Sequence, residues 1–320
     1  MRKEHKTIGG YIELQLPEGQ EHYPSFIKLN TGRNAFEYLL RVKKYTLVYL
    51  PYFTCEVLLE PLRRLSIPYR FYRINQQLEP QIDFEPEENA CLLYTNYFGI
   101  KQDTVRRLAK TVKNLIVDNA QAFFCPPVAG VDTFYSCRKF FGVPDGAYLY
   151  TGSNTRLSLE SDISVYRFSH LIKSIDLSIE TGYHDYLKNN VILGNNSIKK
   201  MSVLSQRILS GIDYEDCRSI RNANFQHLHQ GLASINQLPI NLSAIDGPMV
   251  YPLMIDESGA RKALIAKKIF VATYWPNVLE WASEDLFEHY LTRHLLPLPI
   301  DHRYRIRDMD HILETVRSLL

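Results

Sequence analysis

The stretch Leu115-Ile116-Val117-Asp118-Asn119-Ala120-Gln121-Ala122, followed by Tyr135-Ser136-Cys137-Arg138-Lys139, decides the reading of this chain. The apolar run 115–117 predicts a buried strand that ends on a carboxylate. Open α/β sheets hold their ligands at the carboxyl ends of such strands, which puts Asp118 on the floor of a pocket with Gln121 three residues on. Lys139 comes 21 positions after Asp118 (139 minus 118), with Ser136 three before it and Asp145-Gly146 beyond.

Working outward, strands are expected at 47–50, 69–74, 91–96 and 147–150, and helices at 56–65 and 103–113. This alternation predicts an α/β fold, a mainly parallel sheet flanked by helices. Thr31 reads as the N-cap of a helix with Phe36, Leu39 and Leu40 on one face. The start of that helix, Thr31-Gly32-Arg33, offers unpaired N–H groups and a positive dipole end to a phosphate; a purely structural capped helix is the other reading. Residues 155–230 are expected to be mostly helical, with a polar turn at Gly194-Asn195-Asn196-Ser197. Strands at 249–255 and 269–273, a helix at 260–268 and a final helix at 308–320 predict a small α+β unit. The expected division is an N-terminal arm over 1–30 (with a short strand at 11–16), a large cofactor-binding domain over 31–195 and a small C-terminal domain over 196–320.

At 320 residues, 45% hydrophobic and 22% charged, the composition is that of an ordinary globular protein. The 37 basic and 35 acidic residues leave a net charge of +2, which gives no electrostatic case for a nucleic-acid partner. The five cysteines form no C-x-x-C pair, so neither a disulfide framework nor a zinc site is expected, and a reducing, cytoplasmic setting is. The charged start Met1–Lys6 leads into no apolar segment, and no run has the length to span a bilayer; no secretory signal and no membrane partner are expected.

An acid, an amine and a phosphate-binding hydroxyl in one crevice point to pyridoxal phosphate, the acid pairing with the ring nitrogen and the lysine bonding the aldehyde. The glycine-rich dinucleotide and P-loop signatures and the G-x-S-x-G elbow are absent. His227 and His229 point apart on a helix and read as surface residues, and no metal is expected. The run Arg303-Tyr304-Arg305-Ile306-Arg307 reads as a solvated face, contact with an anionic ligand being the other reading.

Over nearly its whole length the chain resembles the StrS/DegT-like sugar aminotransferases, within the fold-type-I pyridoxal-phosphate enzymes. The resemblance runs through Gly9-Gly10-Tyr11, Thr31-Gly32-Arg33-Asn34-Ala35, Leu50-Pro51-Tyr52-Phe53-Thr54-Cys55, Asp118-Asn119-Ala120-Gln121-Ala122, Ser136-Cys137-Arg138-Lys139 with Asp145-Gly146, and His294-Leu295-Leu296-Pro297-Leu298-Pro299. It implies that Lys139 anchors the cofactor and moves the proton, and that Asp118 keeps the ring nitrogen protonated. Gln121 sits by the phenolic oxygen, while Thr31, Gly32, Arg33 and Ser136 take the phosphate. Cys55 occupies the ring-stacking position, Asn96 joins the cofactor-binding set, and Asn196 reaches a neighbouring subunit's phosphate. The implied activity transfers an amino group from an amino acid, glutamate above all, to a keto-sugar, nucleotide-linked, in a homodimer. The alternatives are a non-catalytic or regulatory binding protein of this fold, or a sugar-modifying enzyme of another reaction type. The chain departs from the family pattern at Cys55 (usually Phe or Trp), at Ala147 (the second glycine) and at Phe134, where the family more often has serine.

Overall fold

Parallel strands covered on both faces need apolar side chains at every position rather than at alternate ones. The strands β1 (Ile27–Leu29), β2 (Leu47–Pro51), β3 (Tyr69–Ile74), β4 (Pro80–Gln81), β5 (Ala90–Thr95), β6 (Leu115–Asn119), β7 (Asp132–Ser136) and β8 (Ala147–Tyr150) form one sheet. Every residue of β2, β5 and β6 is buried. The computed structural model describes residues 8–194, 196–257 and 259–320; the charged segment 1–6 and Asn195 of the polar turn lie outside them.

The strand order is β1-β8-β7-β6-β5-β2-β3-β4. Strands β7, β6, β5, β2 and β3 run parallel, while β8 pairs antiparallel with both β7 and β1, and β4 with β3. One face is covered by α1 (Gly32–Lys43) and α2 (Leu59–Leu65): Phe36, Leu39 and Leu40 pack with Leu50, Leu93, Ile116 and Phe134. The other face meets α3 (Gln102–Thr111) through Val105 and Leu108.

Beyond β8 come α4 (Ser169–Asp176) and α5 (Ile179–Gly194), then α6 (Val203–Ser210) and α7 (Tyr214–Leu232). Gly182 lets α4 and α5 close into a hairpin, because a Cβ there would stand 2.8 Å from the His170 carbonyl oxygen. The C-terminal part joins β9 (Val250–Met254), α8 (Ala260–Ala266), α9 (Val278–Trp281), α10 (Phe287–His294), β10 (Leu295–Pro299) and α11 (Ile306–Arg317). Strands β9 and β10 pair antiparallel. The apolar cluster is continuous from Tyr49 and Phe123 to Leu253 and Val316.

Three expectations need correction. Residues 11–16 form no strand, and Tyr11 and Ile12 are exposed, so alternation there has no partner to pair with. Residues 269–273 are irregular, although Ile269 and Val271 are buried: the apolar signal was burial without pairing. Residues 151–163 are not helical, and the helical stretch begins only at the turn Val165–Arg167. Among the described residues no helix is long and apolar enough to cross a membrane, and no group of three or more potential ligands could hold a metal.

Candidate active site

Strand β6 carries Asp118 to the carboxyl edge of the sheet, between Thr95 of β5 and Phe134 of β7. The carboxylate is buried, and its Oδ1 accepts a 2.8 Å hydrogen bond from the Ala120 N–H. Burial pushes its pKa up, against the pull of the Lys139 cation and the Ala120 N–H. Gln121 accepts from the Phe98 N–H at 3.0 Å through Oε1, while its buried Nε2 has no partner. Phe98 takes a left-handed conformation (φ 58°), which few non-glycine residues adopt. Asn96 is committed elsewhere: Nδ2 donates to Gln102 Oε1 and Oδ1 accepts from the Lys101 N–H, both at 3.0 Å.

The residues expected to take a phosphate lie at the start of α1 and the end of β7. Thr31 caps α1 by accepting the Asn34 N–H at 3.2 Å, and the first N–H groups of the helix, at Gly32 and Arg33, have no carbonyl a turn earlier to bond. Gly32 faces Ser136: a Cβ built on it would lie 3.9 Å from Ser136 Cβ. The Arg33 side chain is ion-paired with Glu60. Asn34, which the sequence reading gave no role, ties α1 to the polar turn by donating to Ser197 O at 2.9 Å and Asn196 O at 3.4 Å. Asn196 Nδ2 donates to Asp162, whose carboxylate forms a buried ion pair with Arg167 at 2.8 Å. Within one chain, Asn196 thus lies beside α1 itself.

Strand β7 ends at Ser136, and Cys137–Lys139 form a tight 3-10 turn. This turn, rather than a continuing strand, leaves Lys139 exposed and swings Arg138 to α5, where it donates to Asn190 at 2.7 Å and rests over the Tyr186 ring. The loop that follows is fixed by Asp145, fully buried, which accepts from the Ser202 N–H and from the hydroxyls of Ser202 and Ser205. Sequence reasoning passed over Ser205; the Asp145-Gly146 pair was its only signal. Gly146 has φ +132°, and a Cβ there would come within 3.2 Å of Cys137.

Cys55 stands at the end of the β2 segment, half-buried. Burial pushes its thiol up, the Lys139 and Arg33 cations pull it down, and the Asp118 carboxylate pushes it up again. Of the residues expected at the site, Asp118 ends β6 beside β7, whose end leads into the Lys139 turn, and Gly32 and Ser136 face each other. Asn96 is tied to the Gln102 side chain and the Lys101 N–H, and Gln121 Oε1 to the Phe98 N–H, instead.

No family model matches the chain and no curated protein matches it in sequence. Solved structures match it in fold. A DegT/DnrJ/EryC1/StrS aminotransferase from Brucella abortus has a TM-score of 0.61 at 14% identity, covering 91% of this chain and 85% of that one. The sugar aminotransferase CalS13 from Micromonospora echinospora gives 0.63 at 14%, covering 92% and 87%. NtdA from Bacillus subtilis with bound cofactor PMP gives 0.64 at 14%, covering 92% and 72%. Likeness at such low identity is likeness of fold: the eight-stranded mixed sheet flanked by helices is the fold-type-I architecture of these aminotransferases.

Proposed function

We propose that this chain is a pyridoxal-phosphate-dependent aminotransferase that moves an amino group from an amino acid, glutamate above all, to a nucleotide-linked keto-sugar. The observation that carries the proposal is that the neighbouring parallel strands β6 and β7 bring Asp118 and the Lys139 turn to one edge of the sheet, where Ser136 faces the open helix start at Gly32. The residues fit the cofactor. Gln121 Nε2 is a buried donor without a partner, and the space between Gly32 and Ser136 is one a side chain would fill. Two of the fold relatives are described as aminotransferases, one of them of sugars, and a third holds PMP.

When bound, pyridoxal phosphate supplies an electron sink for a carbanion at the substrate carbon. Asp118 holds a proton on the ring nitrogen; burial makes a bare carboxylate costly there, and a cationic N–H is the partner that offsets the cost. Lys139 Nζ anchors the cofactor and takes up and returns the proton at the substrate carbon. The N–H groups of Gly32 and Arg33 and the Ser136 hydroxyl hold the phosphate. Cys55 lies against the ring.

A homodimer in the cytoplasm completes the proposal. The α4–α5 hairpin exposes Ile175, Tyr183 and Val191, an apolar face of the kind a second copy covers. All five cysteines are free, in keeping with a reducing compartment. The test is spectroscopic: the chain with cofactor absorbs in the visible, borohydride fixes the label, and peptide mass mapping finds it on Lys139. Turnover with glutamate then yields 2-oxoglutarate only when a keto-sugar acceptor is present. Label spread over Lys200 and Lys267, with Lys139→Ala as yellow as the parent, would overturn the assignment.

A further inference from the structure

Arg138, Lys139 and Arg221 border one cavity of about 430 Å³, between the 3-10 turn, the α4–α5 hairpin, α7 and the turn at 301–303. Of the three, Arg221 has no surface to offer a ligand, being 1% exposed. Among the described residues no carboxylate comes within ion-pair distance of it, and Asp301 of the same lining is taken by Arg303 at 2.7 Å. Burial lowers the pKa of Arg221 to about 10, which leaves it charged at neutral pH. A buried cation without a counter-ion is costly, and hydrogen bonds to fixed carbonyls offset the cost.

Those carbonyls belong to segments that frame the site. Arg221 Nη1 donates to Pro248 O and Met249 O at 3.1 and 3.2 Å. The guanidinium also lies 4.6 Å over the Phe140 ring, with Nη2 3.5 Å from the Phe140 carbonyl oxygen. Phe140 directly follows Lys139, and its N–H closes the 3-10 turn on Cys137 O at 3.0 Å. The Met249 N–H donates in turn to Phe98 O at 2.8 Å, and the Phe98 N–H is the one that Gln121 Oε1 accepts. One side chain therefore spans from the lysine turn to the segment bonded to the Phe98 loop. A planar guanidinium reaches both at once, whereas an ammonium is a single point. Helix α7 does not hang on this tie: Asn222 accepts the Gly247 N–H at 2.7 Å, and Asn224 donates to Ile300 O and Tyr304 O at 3.2 and 3.1 Å.

We propose that Arg221 is a positioning residue for Lys139: it ties the turn that carries the lysine to the loop held by Gln121, and so sets where the amine stands relative to the Asp118 floor. The tie stands on the contacts of Arg221, while its use in catalysis rests on the aminotransferase reading. Gly32 and Ser136, expected to take the cofactor's phosphate, do not line the cavity that Arg221 borders. Loss of the tie should therefore leave cofactor binding in place and lower the share of bound cofactor that is bonded to Lys139.

The experiment compares the parent with Arg221→Met, whose unbranched apolar side chain fills the space without charge. Stability to urea is expected to change little, because relief of the buried charge offsets the two carbonyls left unpaired. Cofactor bound per chain, counted after alkaline release, is expected to match the parent, while the share that borohydride fixes on Lys139 falls about tenfold or more. In the cofactor-free chain, amide hydrogen exchange in the turn 137–141 is expected to quicken about tenfold, with exchange in β6 unchanged. Exchange that rises alike in the turn and in β6, with the parent's share of fixed label, means a merely structural arginine and overturns the proposal. Should Arg221→Met lose the parent's circular dichroism, Arg221→Lys, which keeps stem and charge but cannot span both segments, decides by the same two readings. A yellow parent whose folded variants match it in fixation and exchange loses the tie and keeps the aminotransferase reading. A parent that stays colourless with cofactor loses that reading, and the exchange measurement alone then decides the tie.

Discussion

Two walls meet at Lys139, one built from adjacent strands and the other from elements far apart in the chain. Around Asp118 the groups sit on adjacent strands: Asp118 Oδ1 accepts from the Ala120 N–H, Gln121 Oε1 from the Phe98 N–H, and Asn96 bonds the Lys101 N–H and the Gln102 side chain, while Thr95 Oγ1, Asn119 Oδ1 and Gln121 Nε2 are buried without a partner. Around Arg138 the groups come from distant parts of the chain, with Arg138, His170, Arg221 and His302 brought to one cavity by the α4–α5 hairpin, α7 and the turn at 301–303. The first wall is a rigid floor whose geometry the sheet dictates. The second depends on how distant helices pack. Function at the floor should therefore respond to small chemical changes, and the other wall to changes in packing.

The sharpest blow to the floor is Asp118→Asn, which keeps the volume and removes the charge. The turnover number is expected to fall about 10²–10³-fold in steady-state assays. Folding should respond in the other direction. Burial raises the folded-state pKa of Asp118 above its unfolded value, so the folded chain binds the proton more tightly and loses stability as pH rises through that interval. Asn carries no such penalty. The cofactor-free variant should be at least as stable as the parent to urea at pH 7, with the advantage vanishing near pH 4. Equal turnover in parent and variant would mean that this carboxylate does not face the ring.

A smaller effect is expected from Gly32→Val, at the rim of the same floor. The neighbours of a Cβ at Gly32 stand at 3.8 Å or beyond, so the fold accommodates it, but a branched side chain intrudes on the phosphate. Cofactor affinity, followed by visible absorbance, should weaken about a hundredfold (about 2.7 kcal/mol) with unchanged circular dichroism. The smallest effect lies on the other wall. Gly182→Ala gains helix propensity, worth about 1 kcal/mol, yet drives a methyl against the His170 carbonyl at 2.8 Å, a backbone atom that cannot swing aside. Overlap should win, for a net loss of about 1 kcal/mol in urea unfolding. It should leave cofactor affinity alone, which separates the walls.

The central sheet was legible where strands are buried on both faces, because full burial writes an unbroken apolar run: 47–50 and 115–117 are such runs. Strand β7, Asp132-Thr133-Phe134-Tyr135-Ser136, was not, since its polar ends break the run although four of its five residues are buried. Residues 269–273 failed the other way, apolar enough for a strand but with no neighbour to pair. At the site, Asp118, Lys139 and Thr31 could be read from order and spacing. Arg138 could not, because its direction depends on the strand stopping at Ser136 and on the 3-10 turn that follows. The cavity wall was illegible for a deeper reason: Arg138, His170, Arg221 and His302 are spread over 165 positions (302 minus 138, inclusive), and only the packing of distant helices brings them together.

The clasp at Asp145 also sets an order of events in synthesis. The loop after Lys139 is held by Ser202 and Ser205, some sixty residues further on, and the first turn of α1 by Ser197. A ribosome adding about 5–20 residues per second needs several seconds to make that span. Until residue 205 leaves the exit tunnel, the lysine turn lacks its anchor even though the parallel strands are already present. A nascent chain stopped at 195 should therefore collapse around its sheet without retaining cofactor, and one stopped past α6 should be the first to find the clasp closed.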